Sequence, residues 1–111
     1  MIRHLVLCRF RADVDVAARA DLHRRLEGLR DRLDGMGPVA LGPNASPEGL
    51  GRGFDHGFAI DFRDAAARDA YLADEVHGAV GADIVAALEG GLDGLVVFDL
   101  EVPDSEAAAR A

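Results

Sequence analysis

Apolar residues recur at two different periods along this chain, and the switches between periods mark its elements. Ile2, His4, Val6, Cys8 and Phe10 alternate with Arg3, Leu5, Leu7, Arg9 and Arg11, the two-residue period of a strand. Both sides carry apolar groups, so both are expected to be covered. From Asp15, an acceptable N-cap, the period lengthens: Leu22, Leu26, Leu29 and Leu33 follow at spacings of four, three and four, a helical stripe that faces a core. Gly35, Gly37 and Pro38 stop this helix. Val39 to Leu41 starts a second strand. The segment GPNASPEGLGRG, residues 42–53, is too rich in Gly, Pro, Asn and Ser for regular structure and is predicted to be a long hairpin loop, a lid or simply a flexible connection.

Alternation returns with Phe54, His56, Phe58, Ile60 and Phe62 on one side and Asp55, Gly57, Ala59 and Asp61 on the other. Asp64 caps a short helix through Leu72. A further helix runs from Glu75 to Glu89, with Val76, Val80, Ile84 and Leu88 each four apart, and Gly90-Gly91 ends it. Leu95 to Val102 is the last strand, and residues 103–111 are expected to be a frayed tail. The order strand, helix, strand, strand, helix, strand predicts an α+β ferredoxin-like plait over residues 1–102, an antiparallel sheet with its helices on one face. The other face is then bare. Leu5, Leu7, Leu95 and Val97 are expected to cover it by pairing two sheets across a homodimer. The alternative is a monomer with a few exposed apolar residues.

Charge narrows the partners. Twelve basic against twenty acidic residues leave a formal net charge of -8, which repels phosphate backbones and anionic headgroups, so neither nucleic acid nor membrane is expected as a partner. Arg24, Arg25, Arg30 and Arg32 alternate with Glu27, Asp31 and Asp34, the pattern of a solvated helix face. The single Cys8 excludes an internal disulfide and fits a reducing compartment. No run has the unbroken apolar stretch of a signal peptide or a membrane span, and a cytoplasmic location is expected.

Few side chains here suit proton transfer near neutral pH: there are four His, one Tyr and one Cys, and His56, Tyr71 and His77 fall within residues 53–77. Tyr71 and His77 are six residues apart, which on one helix separates them by roughly 240° at about 100° per residue. They converge only if the helix breaks. Asp74 is a good N-cap for a new helix, with His77 in its first turn, where the dipole favours neutral imidazole; Asp74, Glu75 and Asp99 pull the other way. His4 and His56 share an apolar face, where satisfied core histidines are common, and antiparallel pairing puts them near opposite ends of a strand pair spanning about 20 Å. His23 borders the leucine stripe and is expected at the surface. Asp74, Glu75 and His77 are too close in sequence to form a recognisable metal site, and no metal is expected.

The residues IRHLVLCRF, the Asn44-x-Ser46 loop, GFDHGFAIDF, Tyr71 and His77 in AYLADEVH, and the closing VVFDLE together resemble the stress-responsive dimeric α+β barrel family, Dabb. The resemblance spans residues 1 to about 102. It implies a homodimer whose two sheets form a barrel, with a cavity between each sheet and its own helices. That family includes stress-induced plant proteins without assigned chemistry and a plant polyketide cyclase that performs an intramolecular aldol condensation without a cofactor. Carried over onto this chain, the pattern implies Tyr71, His77 and Asp99 as the catalytic group, with His4 and His56 in the substrate pocket, joined by their face-mates Val6 and Phe58. One departure is plain: where the family commonly has His-Pro-x-His, this chain reads Asp74-Glu75-Val76-His77.

The chemistry then expected has Asp99 fixing the His77 tautomer, His77 taking a proton from a carbon next to a ketone, and Tyr71 stabilising the enolate oxygen. The plainer alternative has His77 at a helix cap, Tyr71 packed on Val39 or Leu41, and Asp99 paired with a surface Arg. At the level of function the alternatives are a cofactor-independent cyclase acting on a small, largely apolar molecule, a non-enzymatic homodimer that binds a metabolite or contributes to stress tolerance, and, by fold analogy alone, a cofactor-free oxygenase.

Overall fold

Four strands and three helices follow one another in the predicted order in a computed structural model of the chain, which describes residues 1–103. They are β1 (Ile2–Cys8), α1 (Val16–Gly28), β2 (Met36–Pro43), β3 (His56–Phe62), α2 (Ala65–Ala73), α3 (Glu75–Ala86) and β4 (Leu95–Glu101). The sheet runs β2-β3-β1-β4, and every neighbouring pair is antiparallel. This is the ferredoxin-like plait. The expectation for the tail concerns residues that, beyond Pro103, lie outside those described. No helix among the described residues is long and apolar enough to cross a membrane.

Local chemistry sets the helix ends. Asp15 accepts a 2.8 Å hydrogen bond from the Ala18 N–H and Asp64 accepts one of 2.8 Å from the Ala67 N–H, each satisfying a first-turn donor that otherwise lacks a partner. α1 tightens into a 3₁₀ turn at Leu29–Asp31, earlier than its leucine stripe suggested. β2 starts earlier than expected, because Met36 already pairs with Phe62 and a bulge takes up the slack before Val39. The turn between them needs Gly35: its φ is +78°, and a Cβ there would meet the Ala67 Cβ at 2.9 Å.

The helices cover one face of the sheet, and the core lies between them. His4, Val6 and Cys8 of β1 and Phe58, Ile60 and Phe62 of β3 point inward against Leu22, Leu26, Leu29, Tyr71, Val80 and Ile84. The register corrects the expectation for β4. Val97 lies opposite Val6 and Leu95 opposite Cys8, so both share the helix-facing side, and Leu95 packs against the core. The outer face is instead made by Leu5 and Leu7 with Val96, Phe98 and Leu100. Phe98 is 58% exposed and Leu7 43%. The outer face borders an open groove of about 840 Å³, which runs from Leu5, Leu7 and Val96 to Leu50 and Phe54 of the β2–β3 loop.

Candidate functional site

Helix α2 carries the first part of the site. Arg68 and Tyr71, three residues apart, share its sheet-facing side, and Tyr71 is completely buried. The helix stops at Ala73 because Asp74 is extended, with ψ at 131°, and Asp74 then caps α3 by accepting a 2.9 Å hydrogen bond from the His77 N–H. Arg32 pairs with the same carboxylate. The break predicted at Asp74 is present, and it turns the His77 ring back onto Tyr71, with centroids 4.0 Å apart. Tyr71 in turn meets His4 edge-on at 5.6 Å and Phe62 at 5.0 Å. His4 and Tyr71 thus meet ring to ring where a cavity between sheet and helices was implied.

Asp99 is where the expectation and the structure part. Its carboxylate was expected on His77; instead Oδ1 lies 2.6 Å from His4 Nδ1, and Oδ2 accepts a 2.8 Å hydrogen bond from Arg68. The reason is register: His4 and Asp99 are direct cross-strand partners in the β1–β4 pair, on the same face. An ionised carboxylate only accepts, so Nδ1 is the protonated nitrogen of His4. His4 itself is 4% exposed and lies within 6.4 Å of Phe58, ring to ring, with Val6 buried beside it on β1.

His56 does not join this group. It pairs with Cys8 at the far end of β1 from His4, its ring lies against Phe10 at 5.6 Å, and its Nδ1 is 3.1 Å from Asp55. It lines the outer groove instead. His23, expected at the surface, is half-buried, with Nε2 2.7 Å from the Val39 carbonyl. Arg68 is the site residue that sequence reasoning missed. Its position three residues before Tyr71 was the available signal.

Burial dominates the electrostatics of these groups. Burial, reinforced by repulsion from His4 whenever that ring is protonated, lowers the His77 pKa below the ordinary histidine value and outweighs the opposing pull of the Asp74 carboxylate and the Leu72 carbonyl. Burial also pushes the Tyr71 hydroxyl well above the usual tyrosine range, so it stays protonated. Desolvation raises Asp99, but hydrogen bonds from His4 and Arg68 outweigh it and keep the carboxylate below its ordinary range. Among the described residues, the Tyr71 hydroxyl and His77 Nδ1 are both buried with no hydrogen-bond partner. Leaving such a group unsatisfied costs about 1–3 kcal/mol, and here two of them lie on rings in contact. Tyr71 is fully buried, whereas His77 is half-buried.

Comparison with known proteins agrees with this architecture. No curated protein matches the chain. Among solved structures, a dimeric ferredoxin-like protein of unknown function from Jannaschia sp. CCS1 is 33% identical, with 91% of this chain and 98% of that one covered and a TM-score of 0.83. An Arabidopsis thaliana protein is 22% identical over 93% of this chain and 96% of that one, with a TM-score of 0.80. The hydroxynitrile lyase from Passiflora edulis is 17% identical over 93% and 94%, with a TM-score of 0.77; these last two show the fold alone. The family model for the stress responsive A/B barrel domain matches residues 2–102. With nearly its whole length matched, the chain belongs to that family, Dabb.

Proposed function

We propose that this chain is a homodimeric, cofactor-independent enzyme that moves a proton on a small, largely apolar carbonyl compound, in the manner of an aldol-type cyclase or lyase. The pair of uncompensated polar atoms on Tyr71 and His77 carries the reading. Neutral His77 removes a proton from the carbon next to the carbonyl, and the electron pair of that C–H bond passes into the enolate. The Tyr71 hydroxyl donates a hydrogen bond to the enolate oxygen in a dry setting, where such a bond is worth more than in water. The enolate carbon then attacks a second carbonyl of the same molecule, and the proton on His77 goes to the new alkoxide. His4, held by Asp99, packs against Tyr71 and fixes its place. That a Passiflora edulis protein of this fold is named a hydroxynitrile lyase supports an enzymatic role.

Dimerisation rests on the outer face. Leu7, Val96, Phe98 and Leu100 leave a broad apolar surface on one side of the sheet, and the Jannaschia relative is described as dimeric. The small charged body and the single buried thiol suit a cytoplasmic location.

Simple ketones can stand in for the natural substrate in the experiment. Aryl methyl ketones and β-diketones incubated with the protein in D₂O are followed by NMR for loss of the proton signal next to the carbonyl. Exchange above buffer is expected, falling by about 10²–10⁴ in His77→Ala. Equal exchange by wild type and variant for every responsive compound sinks the proposal. One observation favours a second reading, a non-enzymatic metabolite-binding protein: an open groove of about 840 Å³ lies along the outer face, and Tyr71 is not among the residues that line it. That reading gains if ligands bind with no exchange.

A further inference from the structure

Asp99 stands on an edge strand, where little else holds its side chain. On the helix-facing side of β4 its neighbour Val97 is 54% exposed, and α2 packs on β1, β2 and β3. The carboxylate is nonetheless fixed at both oxygens, by His4 at 2.6 Å and by Arg68 at 2.8 Å. Arg68 is itself braced, with its Nε donating to Asp69 at 2.8 Å, so its guanidinium spans two carboxylates. A planar fork with several fixed donors suits this; a lysine ammonium reaches one point at a time.

We infer that Arg68 is a positioning residue: it ties α2 to β4, holds the Asp99 carboxylate aimed at His4 Nδ1, and so keeps His4 in the place from which it supports Tyr71. Arg68 and Tyr71 sit on one face of α2, so one helix sets both the aim of Asp99 and the hydroxyl donor. The charged and titratable groups around Asp99 are His4 on β1, Arg68 on α2 with its partner Asp69, and, past His4, Tyr71 and His77. Arg68 is the one permanent cation among them. Losing it leaves desolvation, which raises Asp99, opposed only by His4.

The test uses NMR, which stands apart from catalysis; only its activity arm rests on the proton-transfer reading. In wild type the Asp99 carboxyl should titrate below the ordinary carboxylate range, and the His4 Nδ1–H signal should be visible and slow to exchange with water. In Arg68→Met the Asp99 titration should move upward and the His4 N–H signal should broaden or vanish. Arg68→Lys should keep the low titration but lose part of the N–H protection. Where exchange activity is present, Arg68→Met should lower kcat on the order of ten- to a hundred-fold with little change in KM, the signature of misplacement rather than lost binding. If Arg68→Met does not fold, wild type decides alone: the Arg68 guanidinium nitrogen signals should shift at the same pH as Asp99 protonates. Arg68 signals that ignore Asp99, or an Asp99 titration and His4 signal unchanged in Arg68→Met, overturn the inference. Absence of exchange in wild type together with the predicted NMR shifts refutes the enzymatic reading and leaves the role of Arg68 standing.

Discussion

At the scale of single residues, His77 makes stability depend on pH. Its folded pKa lies below the ordinary 6.5 expected when unfolded, so between those values the unfolded chain binds more protons than the folded one. Above about pH 6.5 this costs nothing; as pH falls below it the penalty grows, and it is complete once the pH is under the folded value. Thermal midpoints of wild type should therefore fall from pH 7 to 5 more steeply than those of His77→Gln, and parallel curves would remove the assigned desolvation. Asp99 acts in the same sense at lower pH, adding stability above its ordinary 3.8 that is lost as pH falls through its depressed value. The scarcity of Tyr and His made Tyr71 and His77 legible in the sequence as candidates. The partner of Asp99 was not, because the all-apolar run Leu95 to Phe98 has no alternation from which to read which face Asp99 occupies. Only the pairing of β4 with β1 decides it, opposite His4. Arg68 was hidden for another reason: it sits among twelve basic residues, and nothing but its spacing from Tyr71 sets it apart.

The break between α2 and α3 is the element on which the site depends. A continuous helix would carry Tyr71 and His77 to different faces; the extended Asp74 and the cap it forms bring their rings to 4.0 Å. Asp74→Ala removes the cap and the partner of Arg32, and it should cost about 1–2 kcal/mol, a fall in Tm of roughly 4–8 °C for a domain of this size. Asp74→Asn keeps an acceptor for the His77 N–H and should lose less than half of that. Equal losses would mean that the ion pair with Arg32, not the cap, holds the break. This element was readable in advance because capping is local chemistry: an Asp three residues before the N–H it satisfies. The early end of α1 and the early start of β2 were not, since they turn on the pairing of Met36 with Phe62, a contact between residues distant in sequence. The break forms without the Pro of the family pattern: Asp74 is extended and caps α3, and Arg32 pairs with its carboxylate.

For the whole molecule, the two faces of the sheet differ in what covers them. The inner face carries His4, Val6 and Phe58 beneath Tyr71 and His77, while the outer face carries Leu7, Val96, Phe98 and Leu100. A second copy laid on the outer face would cover the apolar surface and leave the helix-covered side in contact with solvent. Phe98→Glu places a charge at the centre of that surface, and sedimentation should then show a dimer turned to monomer with the fold retained. A wild type that sediments as a monomer would remove this part of the account. The overall fold was legible because its element order is nearly enough to define a plait; the assignment of β4 to the outer face through Leu95 and Val97 failed because an edge strand with apolar groups on both sides reads alike in either register. The central proposal is that His77 and Tyr71 act together on one carbonyl compound, His77 on the proton and Tyr71 on the enolate oxygen. It is tested most directly by the rate of carbon-bound hydrogen exchange in D₂O for wild type, Tyr71→Phe, His77→Ala and the double variant, on a ketone that the wild type labels. Groups acting as a unit predict a double variant little worse than His77→Ala alone; effects that simply multiply, or single variants as fast as wild type, would contradict it.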